Sequence, residues 1–151
     1  MRLALSLSVA TAVALAVVGA AIAAARPAAG STTVTTARTG LGVIVVDHSG
    51  RSLYLFEKDK HGASACSGAC AAYWPPLLTR GTPTAAGGAR ASLLGVTRRA
   101  DGTRQVTYAG HPLYRFAGDT RRGQTQGEGS HTFGAGWDAL TPAGHKIERD
   151  G

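Results

Sequence analysis

Few residues in this sequence could carry chemistry, and they fall into two sets. The first is a pair of cysteines, Cys66 and Cys70, in the run CSGACAAYWPP. As thiolates they could hold a soft metal, copper or zinc, if His61 and His111 supplied the further ligands. As a dithiol they could exchange electrons, although a redox pair is usually spaced Cys-x-x-Cys at a helix start. Oxidised, the default for an exported chain and the state expected here, they form a disulfide whose small ring clamps the loop leading to Trp74. None of the five histidines has the short paired spacing of a zinc module, so no cofactor is expected.

The second set is a phrase that occurs twice. GRSLYLFEKD at 50–59 and GHPLYRFAGD at 110–119 both run Gly, two variable residues, Leu-Tyr-x-Phe, then Asp three residues after the Phe. Asp59 and Asp119 could be read as the paired carboxylates of a glycosidase. A structural reading fits better. Residues two apart on a strand share a face, so Tyr54 points with Phe56 and Tyr114 with Phe116. The opposite face carries Leu53 and Leu55 in the first copy but Leu113 and Arg115 in the second. The first copy is therefore expected to be buried on both faces and the second on one. Each Asp would end its strand by accepting backbone N–H groups of the following turn, and each Tyr hydroxyl would reach the neighbouring Asp or a loop carbonyl. Trp74 and Trp137 occupy corresponding places downstream of the two phrases. They are expected in the core, with an aromatic platform for a glycan or peptide as the alternative. There is no Gly-x-Ser-x-Gly elbow, and the glycine clusters follow no strand-to-helix junction, so they are turns rather than phosphate cradles.

The elements that must position these residues are mainly β. Residues 92–99 form one strand candidate and 103–108 alternate as another, with Asp101-Gly102 marking a hairpin between them. Ala109-Gly110 then turns the chain into 111–116, which completes a three-stranded meander. In the first half 41–46 and 51–56 flank the turn residues DHSG. Residues 77–91 read as a loop, and no segment has helical apolar spacing. The fold class is one small, mainly β domain of two pseudo-repeated antiparallel halves, about 41–78 and 92–144.

That domain follows an apolar leader. Arg2 precedes 23 uncharged residues, Leu3 to Ala25, with small residues at Ala23 and Ala25. Residues 1–25 are either a cleaved signal peptide or an uncleaved N-terminal anchor, and in both cases the rest of the chain lies outside the cytoplasmic membrane. With no Cys near the cleavage site, lipid attachment there is not available. Residues 26–39, with Val34 as the only large aliphatic and no aromatic, are expected to be a flexible linker. The domain is then 40–148, long enough for one modest core.

The chain resembles the secreted repeat proteins with a Tyr-x4-Asp motif, a lipoprotein-type bacterial family of unassigned function. The stretches LYLFEKD, CSGACAAYWPPLL, LLGVTRRADGTRQVTYAGHPLYRFAGD and GWDALTPAG carry the resemblance. It implies an exported, often membrane-attached domain built of repeats, without implying an activity.

Sixteen basic residues face nine acidic ones, a net charge of +7. For an exported chain that favours an anionic envelope polymer or a membrane surface as partner over nucleic acid. The sequence thus points to an exported, non-catalytic domain with a structural or binding role. The rival is a metal or redox protein using Cys66, Cys70 and nearby His.

Overall fold

The computed structural model of the protein describes residues 30–148. The leader, 1–25, and the first residues of the expected linker lie outside this span. The linker itself ends sooner than its composition suggested. Thr33–Thr39 forms β1, which pairs antiparallel with β2, Gly42–Asp47, in a register running from Val34 opposite Asp47 to Thr39 opposite Gly42. Thr is β-branched and fits a pleated, half-buried surface, which a reading weighted towards aromatics passes over. The turn has Gly42 at φ 93°, and the Thr39 hydroxyl caps it by accepting from Leu41 N–H at 3.1 Å. Burial of Val34 ties β1 into the core.

Part of the expected loop 77–91 is also recruited. Thr84–Ala85 forms β4, parallel to the start of β1. The second half contains the meander expected there: β5, Leu94–Arg98; β6, Arg104–Tyr108; and β7, His111–Pro112, hydrogen-bonded in that order. The β5–β6 hairpin closes with Arg99 N–H donating to Thr103 C=O at 2.8 Å, so three residues form the loop and only Gly102 takes positive φ. Asp101 stays in ordinary backbone conformation and accepts from the Thr103 N–H at 2.9 Å. β6 is less one-sided than its alternation suggested, because Gln105 and Thr107 are buried along with Val106 and Tyr108.

Residues 51–56 do not return as a full hairpin partner of β2. They make a single bridge, Val46 to Ser52, and the remainder becomes β3, Tyr54–Phe56, paired antiparallel with β8, Trp137–Ala139. The only α-helix among the described residues is α1, Ala69–Tyr73. Alternation along residues 53–56 divides the interior in two. Tyr54 and Phe56 enter one apolar cluster with Ile44, Val46, Trp74, Tyr114 and Trp137. Leu53 and Leu55 enter the other with Val34, Val45, Leu77, Val106 and Leu113. The single core expected from length is thus two layers either side of one central strand. Both are built from residues between Val34 and Ile147, all within the described span.

Candidate functional site

The two copies of the repeated phrase meet each other back to back. Tyr54 N–H donates to Tyr114 C=O at 2.9 Å, and Tyr114 N–H donates to Tyr54 C=O at 3.0 Å. This mutual exchange is the closely spaced pair of an antiparallel ladder, and it places a local two-fold axis between the copies. The side chains obey the same symmetry crosswise. Tyr54 Oη donates to Asp119 Oδ2 at 2.5 Å, and Tyr114 Oη donates to Asp59 Oδ2 at 2.8 Å. The acid that each tyrosine meets is therefore not in its own copy, as sequence proximity suggested, but in the other.

Each Asp also shapes its own turn. Asp59 N–H donates to Phe56 C=O at 3.0 Å and Asp119 N–H to Phe116 C=O at 3.1 Å, so the two turns are alike. The other carboxylate oxygens accept from backbone further on, Asp59 Oδ1 from Ala65 N–H at 2.7 Å and Asp119 Oδ1 from Gln126 N–H at 2.9 Å. Asp119 is buried, while Asp59 is half-buried. Burial raises the Asp59 carboxyl above its ordinary range despite the donors from Ala65 and Tyr114. Burial, reinforced by the facing carboxylates, pushes both phenols well above the ordinary tyrosine range, so they act as fixed donors.

The rings follow the same crosswise rule. Phe56 stacks on Trp137 with centroids 4.0 Å apart, Trp137 on Trp74 at 3.9 Å, and Trp74 meets Phe116 at 4.6 Å. Each Tyr stands edge-on to the Trp of its own half, Tyr54 to Trp74 at 5.4 Å and Tyr114 to Trp137 at 5.1 Å. The close approach at this centre requires glycine at 127, where a Cβ would lie 2.8 Å from the Trp74 ring. Tyr54, Phe56, Tyr114, Trp74 and Trp137 are buried. Phe116, expected to point inward with Tyr114, is only half-buried; it forms the outer end of the column beside exposed Tyr73.

Cys66 and Cys70 form a disulfide, with Cα atoms 5.3 Å apart. In this oxidised form neither sulfur is a thiolate available to a copper or zinc ion. His61 lies in an exposed turn at φ 53°, and His111 is half-buried on β7 with its pKa lowered by burial. Among the described residues no three His, Cys, Asp or Glu side chains are grouped to hold a metal ion. Beside Asp59 a cleft of about 620 Å³ is lined by Leu55, Glu57, Lys60, His111 and His145 among others. Two of its charges are matched to each other, Lys146 Nζ lying 2.7 Å from Glu57.

Several stabilising groups escaped the sequence. Asp47 is buried, takes Arg115 Nε at 2.6 Å, and holds the 47–51 turn through Ser49 and Arg51 N–H at 2.9 and 3.0 Å. Burial opposes its charge, but these donors win and hold the carboxyl below its ordinary range. Arg115 standing where the first copy has Leu55 was the one visible sign of it. Arg51 donates to the Asp119 carbonyl, and Arg99 crosses to Cys66 C=O at 2.7 Å, Ser64 Oγ at 2.9 Å and Gln105 Oε1 at 2.8 Å. Spacing along the chain gives no signal for such contacts.

The sequence profile of one family, described as a secreted repeat of unknown function, matches the chain twice, over residues 35–78 and 95–141. No curated protein and no solved structure shows significant similarity to it.

Proposed function

The chain belongs to this family of secreted repeats, and from that premise we propose that it is an exported, non-catalytic binding domain whose ligand is an anionic component of the cell envelope. The observation that carries the reading is where the charges lie. Asp47, Asp119 and Glu128, three of the nine acids, are buried in turn and strand contacts, whereas Arg99 is the only base among the described residues that is buried. The surface is therefore more basic than the composition, and basic surfaces attract polyanions over a Debye length. The paired Tyr and Asp side chains support the non-catalytic half of the reading, because each is engaged by the other copy inside the fold. A disulfide suits the oxidising environment outside the cytoplasm. Released, or held by Leu3–Ala25, the domain would work on the outer side of the cytoplasmic membrane.

The test is retention of purified residues 26–151 on cell-wall material. Retention at low ionic strength and release at about 0.5 M salt, where exposed charges are screened within a few ångströms, is the expected result. Failure to bind at low ionic strength to cell-wall material and to anionic lipid vesicles alike overturns the reading.

A further inference from the structure

A second cleft, of about 700 Å³, opens at the far end of the β5–β6 hairpin, lined by Gly30, Thr32, Leu78, Arg80, Thr103 and Arg104 among others. No acid lines it. Arg104 stands directly across the ladder from Arg98, so two guanidinium groups share one face of the sheet. Arg80 also lines the cleft, and its carbonyl accepts from Arg104 Nη1 at 2.5 Å. Like charges placed opposite one another on a sheet are destabilising. Both guanidinium groups rest on neutral oxygens, Arg98 Nη1 donating to the Gly102 carbonyl at 3.2 Å and Arg104 Nη1 to that of Arg80, while the ion pairs of Asp47 and Glu57 use Arg115 and Lys146. Asp101, in the adjoining turn, has its Oδ1 engaged by the Thr103 N–H and hydroxyl at 2.9 and 2.6 Å.

Two further facts decide what such a cluster would meet. Leu78, on the cleft wall, is 43% exposed, one of the few large apolar side chains so presented. Gly30, on the same wall, is five residues beyond Ala25, the end of the apolar run. Five extended residues reach at most about 18 Å. An apolar segment held in a bilayer would thus keep Gly30 within about 18 Å of the hydrocarbon boundary.

Resting on the binding reading above, we infer that the cleft lined by Arg80 and Arg104, with Arg98 across the ladder from Arg104, is the site of that binding and that its ligand is the phosphate of anionic lipid headgroups. The planar guanidinium fork matches phosphate oxygens, and Leu78 dips into the interface beside it.

The experiment compares residues 26–151 with Arg80→Gln/Arg104→Gln, with Arg121→Gln/Arg122→Gln as a control of equal charge, and with Leu78→Ser. All are first shown to melt cooperatively. Partition onto phosphatidylglycerol vesicles, phosphatidylcholine vesicles and soluble poly(glycerol phosphate) is then measured. At roughly fivefold per basic residue at a membrane surface, the Arg80/Arg104 variant should lose about thirty-fold on phosphatidylglycerol, and the control less than about threefold. Leu78→Ser should weaken vesicle binding without changing binding to the soluble polymer. Equal losses in the two arginine variants, or equal binding to phosphatidylcholine, overturn the site. Binding to cell-wall material or the soluble polymer but not to phosphatidylglycerol vesicles overturns the lipid assignment and leaves the broader reading standing. No binding to any of them overturns both.

Discussion

Tyr54 and Tyr114 make the same bond in different shelter, and the difference is measurable. Asp119, the partner of Tyr54, is 1% exposed, whereas Asp59 is only half-buried, and Tyr114 also reaches Ser64 at 2.7 Å. Tyr54→Phe leaves a sheltered carboxylate oxygen without its donor and should cost about 2–3 kcal/mol, in the range for hydrogen bonds to charged groups. Tyr114→Phe, with water nearer to Asp59, should cost about 1 kcal/mol; urea unfolding of the two variants checks the order. His111 sets a pH dependence at the same scale. Burial lowers its folded pKa below 6.5, so the unfolded chain binds the proton first as pH falls. Stability from this residue is then present above the unfolded value and is lost on acidification towards the folded one. Melting temperature should fall between about pH 7 and 5, and His111→Gln should flatten that fall.

Among the elements, β1 is the one whose removal discriminates most sharply. Residues 40–151 would retain both repeated phrases, yet would lack Val34 from the second cluster and every partner of β4 and of the outer edge of β2. That fragment is expected to lose the cooperative melt that residues 26–151 show by circular dichroism. The strand also marks where sequence reading stops. The meander was legible because Asp101-Gly102 and Ala109-Gly110 are local turn signals between β-compatible runs. The disulfide was legible from the exported context. β1 was not, because a Thr-rich run resembles a linker until its partner is known. The pairing of β3 with β8, and of Asp47 with Arg115, joins residues distant in the chain, and no local pattern encodes such contacts. For the same reason the rings could be assigned to the interior, but not the crosswise matching that joins them.

For the molecule as a whole, the matching means that neither half is complete. Ile44, Val46, Tyr54, Phe56 and Trp74 from the first half share a cluster with Tyr114, Trp137 and Ala139 from the second. Separate peptides 30–90 and 91–148 are expected to show no cooperative unfolding, each exposing the unpaired edge at Tyr54 or Tyr114. Mixed in equal amounts they should recover the near-ultraviolet dichroism of the stacked Trp74 and Trp137, since the association restores every ladder bond between them. The mutual backbone exchange at Tyr54 and Tyr114 does not depend on both tyrosines belonging to one molecule. With the connection through 79–91 opened out, the front half of one polypeptide can dock on the rear half of a twin and satisfy the same donors and acceptors. Concentrated solutions therefore have a route to domain-swapped dimers.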